Sequence, residues 1–148
     1  MEDKRVFLDT NILIYAKLEN SIFHEAVVNK LNEFLVNGFE FWISRQVIRE
    51  YIASITREES LRDILSADLI QKDIFEFQEN FKIADEDNAV TEMLLDLYNQ
   101  QMIIGKQTHD ANIVATMRVY KIENLFTNNP DDFKRYVNFI KIIPLGNS

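Results

Sequence analysis

The chain has 148 residues, of which 47% are hydrophobic, so it can bury a core of its own and we predict one domain over residues 1–148. It contains no cysteine, which excludes disulfides, zinc–thiolate sites and thiol nucleophiles, and no segment approaches the ~18 uncharged residues of a membrane span, so we expect a soluble, cytoplasmic protein. The net charge of −8 argues against an evenly basic nucleic-acid-binding surface, but it leaves nucleic acid open as a substrate.

The first half of the chain is predicted to alternate strands and helices. An apolar run that ends at Asp9 indicates a strand followed by a turn, and apolar residues at helical spacing then predict a helix that ends at Asn37 and Gly38. An aromatic run predicts the next strand, after which Ser44 is the expected N-cap of another helix. The predicted elements are the strands Arg5–Asp9 and Phe39–Ile43 and the helices Phe23–Val36 and Arg45–Arg57.

The second half of the chain continues the alternation. Gly105 interrupts the helical pattern, and Thr108 is the expected N-cap of a well-buried helix. The predicted helices are Leu61–Glu79, Ala89–Gln101 and His109–Tyr120, and the predicted strands are Phe81–Ala84, Leu125–Thr127 and Phe139–Ile143. Strands that alternate with helices predict βαβ units, hence an α/β fold in which a mostly parallel sheet is the middle layer of a three-layer α/β/α sandwich.

Acidic side chains follow or flank several of these elements. Asp9 ends the first predicted strand, and ligands bind at the strand ends of open parallel sheets. Glu50 lies at the flank of the apolar face of its helix, and Asp110 lies near the start of the buried helix on a face that points to the core. Asp131 and Asp132 follow a later strand. Three strand-end regions and one helix flank would therefore present acids toward one edge.

Each acid also has a purely structural interpretation. Asp110 could complement the helix dipole as a first-turn acid. Glu50 could be a solvated residue paired with Arg49 or Arg57, and the two acids beside Pro130 could start a helix. The joint placement of the acids favours a metal site, because acids held close together repel one another and persist best when a cation neutralises them.

Four stretches, in this order and at these separations, carry a specific resemblance to a known family. They are Leu8–Tyr15 (LDTNILIY), Ser44–Glu50 (SRQVIRE), His109–Ala115 (HDANIVA) and Thr127–Phe133 (TNNPDDF). The sequence resembles the PIN domain and, within it, the single-domain VapC-type toxin ribonucleases, from Val6 to about Pro144. The resemblance implies a Rossmann-like α/β/α sandwich, an acid cluster that binds Mg²⁺ or Mn²⁺, and endonucleolytic cleavage of RNA.

The resemblance also implies which residues form the site. Asp9, Glu50 and Asp110 match the three most regular acids of the family, which bind the metal and serve catalysis. Carboxylates and water suit Mg²⁺ or Mn²⁺, and one or two such ions can activate water and steady the leaving oxygen, so no protein nucleophile is needed.

The fourth metal ligand is less regular. Many members have an aspartate where this chain has Asn129, a neutral and weaker ligand. Asp132 matches the acid before Phe in a variant pattern that already carries Asn. We therefore predict Asp132 as the fourth acid, with Asn129 assisting, and rank Asp131 after both as a candidate ligand.

Four polar residues are predicted to support the site or contact substrate. Asn11 matches a polar position of the family and would orient Asp9 or a water, although it could equally form only a turn. Thr127 begins the last matching stretch, and Thr108 precedes an acid and could touch a phosphate. Arg45 is a candidate phosphate contact or else part of a surface ion pair.

Two other functional classes remain open from the sequence. A phosphotransferase of the haloacid-dehalogenase type also has an aspartate at the end of its first strand, but it normally needs a second acid two residues later, where Asn11 stands. A non-catalytic interaction module would keep the fold and bind no metal. A Ser-His-Asp hydrolase has little support, because one histidine lies near the acids and no serine elbow motif occurs.

The implied partners are macromolecules. RNA would be the substrate, and the resemblance also implies a homodimer and, for a VapC-type toxin, a small antitoxin that blocks the acidic site. An apolar stripe from Leu65 to Phe77 could serve either protein interface, or it could pack on the core.

Overall fold

The structure, a computed structural model, describes residues 2–57 and 67–146, which contain five strands, six α-helices and one 3-10 helix. The strands are β1 (Arg5–Leu8), β2 (Glu40–Ser44), β3 (Lys82–Ala84), β4 (Asn124–Thr127) and β5 (Lys141–Pro144). The helices are α1 (Thr10–Lys17), α2 (His24–Val36), α3 (Arg45–Arg57), α4 (Ala67–Asn80), α5 (Asn88–Gln100), α6 (Gln107–Tyr120) and the 3-10 helix Pro130–Tyr136. No helix in these ranges is long and apolar enough to cross a membrane.

The strands form one sheet in the order β3-β2-β1-β4-β5, and every pair of neighbours is parallel. β1 lies in the middle, where Val6 pairs with Phe41 of β2 on one side and with Asn124 of β4 on the other. Consecutive strand residues point to opposite faces, and residues 6 to 8 are all fully buried, so both faces of the sheet are covered. The predicted α/β sandwich is confirmed, and all strand carboxyl ends lie at one edge.

Most of the predicted elements are found close to their predicted bounds. The short strand before α5 is present as Lys82–Ala84, and the Ser44 hydroxyl accepts a hydrogen bond from the backbone N of Val47 at 3.3 Å, as expected of an N-cap. The helix predicted over Leu61–Glu79 is described from Ala67 onward, and its first six residues lie outside the described residues.

The turn predicted after Asp9 is wrong, because a helix begins there at once. Thr10–Lys17 forms α1, and Asp9 is its N-cap with a carboxylate that accepts from the backbone N of Thr10 at 2.8 Å. An N-cap carboxylate satisfies an otherwise unpaired N–H group and interacts favourably with the helix dipole. Asp9 therefore follows β1 directly and at the same time caps the start of α1.

The N-cap predicted at Thr108 is also wrong. Helix α6 begins two residues before the predicted start, at Gln107, and its N-cap residue, Lys106, makes no side-chain capping hydrogen bond. The Thr108 hydroxyl instead hydrogen-bonds to the hydroxyl of Tyr98 on α5. The hydroxyl thus joins two helices and does not close the end of one.

The apolar stripe on α4 packs on the core at its carboxyl-terminal end. Phe77 is 4% exposed, and its ring centroid lies 4.9 Å from that of Tyr51 and 5.7 Å from that of Phe81. Leu69 is 42% exposed, and Leu65 lies outside the described residues. Core packing therefore accounts for Phe77, the most buried of the stripe residues that the structure describes.

Candidate active site

Asp9 stands at the carboxyl end of the central strand and is 7% exposed. Its carboxylate accepts three hydrogen bonds, from the backbone N of Thr10 at 2.8 Å, from the Thr127 hydroxyl at 2.7 Å and from Asn11 Nδ2 at 3.3 Å. Asn11 is itself held, because its Oδ1 accepts from the backbone N of Asn128 at 3.2 Å. A buried carboxylate with this many donors has a fixed orientation.

Glu50 projects from α3 toward Asp9 and is half-buried. The Thr10 hydroxyl donates to its Oε1 at 2.8 Å, and Gln46 Nε2 donates to its Oε2 at 3.2 Å. Thr10 therefore contacts both acids, since its backbone N binds Asp9 and its hydroxyl binds Glu50. Thr10, the first residue of α1, thus links the carboxylate of Asp9 to that of Glu50 on α3.

The acids of the site influence one another's ionisation. Burial is the largest of the influences that raise the pKa of Asp9 to about 6, and the charges of Glu50 and Asp132 act in the same direction. Burial likewise leads the influences that raise the pKa of the half-buried Asp110 to about 7, followed by the charges of Asp9, Asp132 and Glu50. The four predicted acids therefore lie within electrostatic reach of each other.

The segment after β4 separates its two aspartates. Asp131 points to solvent, where its carboxylate is 80% exposed and lies 2.8 Å from Lys134 Nζ. Asp132 is also exposed, yet its charge acts on both acids with raised pKa values. The backbone N of Asn129 donates to the Thr127 hydroxyl at 2.9 Å, and Asn129 lines the cleft described next.

The acids border a cleft of about 700 Å³. Its lining includes three of the predicted acids together with two predicted amides, which are Asp9, Glu50, Asp110, Asn11 and Asn129. Three cationic side chains line the same cleft, namely Arg49, Arg57 and Lys106. A cleft with acids and cations side by side suits a ligand that carries phosphates and is held partly through a metal ion.

Three of the four predicted supporting residues do not line this cleft, and of these only Thr127 hydrogen-bonds to one of its acids, Asp9. Arg45 is 48% exposed, and its Nε is 3.2 Å from Asp85 Oδ1, so it forms the surface ion pair that was its alternative interpretation. Thr108 bonds to Tyr98 as described above. Arg49, four residues after Arg45, reaches the cleft in its place.

The acids have no cationic partner within residues 2–57 and 67–146. None of the ion pairs in these ranges involves Asp9, Glu50, Asp110 or Asp132. Over the same ranges, no group of three or more histidine, aspartate or glutamate side chains is placed so that it could hold a metal ion as it stands. None of the four acids is therefore directly neutralised by an ion pair with a described side chain.

Comparison with known proteins places this arrangement in a family. The sequence model of the PIN domain matches residues 6–138. The chain belongs to the PIN domain family. The resemblance inferred from the four motif stretches is thereby confirmed.

Individual relatives of this PIN domain protein are similar over nearly their whole length. Ribonuclease VapC2 of Methanocaldococcus jannaschii is 28% identical over 153 residues, which cover 98% of this chain and 97% of the relative. The solved structure of VapBC2 from Rickettsia felis, bound to a DNA fragment from their promoter, is 24% identical with a TM-score of 0.66 and covers 95% of this chain and 98% of that one. A toxin-antitoxin complex from Klebsiella pneumoniae is 18% identical with a TM-score of 0.67 and covers 97% and 99%.

A polar network behind the acids of this PIN domain was missed from the sequence. Its members are Gln46 of α3, Asn112 of α6 and Glu86, which follows β3 at the same sheet edge as the acids. Two amides that pair across helices, one buried and one half-buried, leave no periodic pattern, and Glu86 stands in an acidic run that is typical of solvated loops. The one available signal was that Glu86 follows a predicted strand, as the site acids do.

Proposed function

We propose that this protein is a metal-dependent endoribonuclease that hydrolyses phosphodiester bonds of RNA in the cleft beside Asp9. The observation that carries the proposal is that Asp9, Glu50 and Asp110 line one cleft, that the charge of Asp132 also acts on two of them, and that none of the four forms an ion pair among the described residues. Membership of the PIN domain family and the similarity to a protein named as a ribonuclease support the same reaction.

The donor set fits Mg²⁺ or Mn²⁺. Carboxylate and amide oxygens are the ligands that these ions prefer, and Mg²⁺ usually takes only one or two carboxylates and keeps several waters. A site in which no three acids converge directly is compatible with that habit. We propose that Asp9, Glu50, Asp110 and Asp132 would hold the ion, one or two of them directly and the others through its bound waters, with Asn129 assisting. The bound ion would supply Lewis-acid polarisation of the phosphodiester and activation of water.

The residues of the chain have separate tasks in this proposal. The carboxylate of Asp9 is held in one orientation by Thr10, Thr127 and Asn11. Metal binding therefore does not have to order this ligand. The cations on the rim, which are Arg49, Arg57 and Lys106, would bind phosphates on either side of the cleaved bond. Arg45 would bind a phosphate only after its ion pair with Asp85 breaks.

Cleavage of a mixed RNA pool in Mg²⁺ tests the activity. We expect the wild type to cleave, EDTA to stop cleavage, and Asp110→Ala to lower the rate by at least about 100-fold if the ion is lost. Asp131→Ala is the matched control, because this exposed acid pairs with Lys134 and should leave the rate unchanged. Equal cleavage by the wild type and Asp110→Ala would indicate a contaminant. An inert wild type that also binds no Mn²⁺ in calorimetry would establish the non-catalytic alternative.

We propose in addition that the protein is the toxin of a toxin-antitoxin pair and forms a homodimer. The support is the similarity to a solved toxin-antitoxin complex over nearly the whole chain. Light scattering of the purified protein would test the dimer. A short reading frame next to the gene should encode a protein that binds this one and suppresses RNA cleavage, and a neighbour that binds without suppressing cleavage would contradict the antitoxin assignment.

A further inference from the structure

We propose that Gln46 is a positioning residue that sets Glu50 against Asp110 for metal binding, an inference that rests on the proposed function. The Gln46 side chain is 5% exposed and lies between α3 and α6. Its Nε2 donates to Glu50 Oε2 at 3.2 Å and to the backbone carbonyl of His109 at 2.9 Å. One amide group therefore holds the carboxylate of one acid and the main chain next to the other.

The orientation of the Gln46 amide is fixed from its other side. Asn112 Nδ2 donates to Gln46 Oε1 at 2.8 Å and to Glu86 Oε1 at 2.9 Å. Glu86 Oε2 also accepts from the backbone N of Gln46 at 2.7 Å, at the start of α3 where the helix dipole favours an anion. Two amides thus link two carboxylates, and only one assignment of the Gln46 oxygen and nitrogen satisfies every donor and acceptor.

This network does more than fill space between two helices. Glu50 has two donors, the Thr10 hydroxyl and Gln46 Nε2, and without the second its carboxylate is free to rotate about its side-chain bonds. Removing Gln46 Nε2 also breaks the hydrogen bond that ties α3 to the carbonyl of His109, the residue before Asp110 in the first turn of α6. Loss of Gln46 should therefore lower the affinity for a metal ion that binds to both acids, because the groups that orient metal ligands influence how tightly the metal binds.

The test compares Mn²⁺ binding by two variants that each lose a buried amide. Gln46→Met keeps the length of the side chain and removes its hydrogen bonds. Asn124→Leu is the matched control, since Asn124 Nδ2 also bridges two backbone carbonyls, those of Asp3 at 3.1 Å and Arg5 at 2.9 Å, but at the opposite end of the sheet. By calorimetry we expect Gln46→Met to bind Mn²⁺ about tenfold more weakly than the wild type, and Asn124→Leu to bind it equally well.

A second measurement separates positioning from a general loss of structure. The Mn²⁺ concentration that gives half-maximal RNA cleavage should rise about tenfold in Gln46→Met, while the rate at saturating Mn²⁺ stays within about threefold of the wild type. Asn112→Ala leaves Gln46 in place and removes the donor to its Oε1 together with the donor to Glu86 Oε1, so it should raise the half-saturating concentration by about threefold, and it serves if Gln46→Met does not fold.

The outcomes distinguish this inference from the proposed function. If the wild type binds Mn²⁺ and Asp9→Asn does not, but Gln46→Met and Asn112→Ala bind like the wild type, the positioning role is overturned and the nuclease proposal stands. Equal weakening by Asn124→Leu would also overturn it, because the effect would then follow from stability alone. A wild type that binds no Mn²⁺ would overturn both.

Discussion

Asp9 is held in surroundings that favour its neutral form, so replacing it with Asn should stabilise the metal-free protein at neutral pH. In the unfolded chain the carboxyl has its ordinary pKa of 3.8, whereas in the folded protein burial and neighbouring acids raise the pKa to about 6. Because the folded-state pKa is the higher of the two, ionisation favours unfolding. The destabilisation is absent below about pH 3.8, grows as the pH rises and is complete above about pH 6.

The size of the effect follows from the two pKa values. A rise from 3.8 to about 6 corresponds to about 3 kcal/mol of unfolding free energy at pH 7.5. Asp9→Asn does not gain all of this free energy. In the wild type Asn11 Nδ2 donates to Asp9 Oδ2, and in the variant it would face the NH₂ group of the new amide, at a cost of about 1 kcal/mol. We therefore expect Asp9→Asn to raise the unfolding free energy by about 1–2 kcal/mol at pH 7.5. At pH 4.5 the gain should be smaller by about 2 kcal/mol.

Urea unfolding followed by circular dichroism, in EDTA at both pH values, measures this difference. Asp131→Asn is the control, since its exposed carboxylate pairs with Lys134 and its loss should change the unfolding free energy by less than about 0.5 kcal/mol. The reasoning is refuted if Asp9→Asn is no more stable than the wild type at pH 7.5, or if its gain is the same at pH 4.5.

Three further changes probe separate parts of the molecule. Thr127→Val removes the hydroxyl that donates to Asp9 and should weaken Mn²⁺ binding in calorimetry by about tenfold, with Thr127→Ser restoring it; failure of the serine to restore binding would contradict the hydroxyl's role. Asp132→Asn should lower RNA cleavage by at least about tenfold in a gel assay, and an unchanged rate would remove it from the ligand set. Tyr51→Phe breaks the 2.7 Å hydrogen bond to Asp73 and should lower the free energy of unfolding in urea by about 1 kcal/mol without changing the rate of RNA cleavage. A loss of cleavage would instead show that this hydrogen bond helps to position the active site.

The alternation of strands and helices was predictable because it depends on local patterns. Residues 6 to 8 form a short apolar run that ends at an acid, which is typical of a buried parallel strand. Helix α1 was missed for a physical reason, since Ile12 and Leu13 are both fully buried and the segment follows β1 without a loop. Such a helix has little polar face of its own, so its periodicity is weak.

The site was predictable only in part. The acids at the strand ends could be named because the topology of a parallel sheet brings strand ends together. What fixes those acids could not be named, because it consists of pairings between distant residues. Thr10 binds Glu50, and Gln46 binds both Glu50 and the carbonyl of His109, and each of these contacts depends on how two helices meet. Tertiary packing of this kind has no counterpart in local sequence.

The hydrogen bond between Thr127 and Asp9 joins residues that are 118 positions apart. β1 is the first strand to be made, but β4, which pairs with it directly, is made only after β2, β3 and the helices α1 to α6. A growing chain that has not yet reached residue 127 has neither the neighbour of β1 on that side nor the hydroxyl that holds Asp9. If the protein is the nuclease proposed above, a chain that ends before residue 127 should therefore not yet cleave RNA.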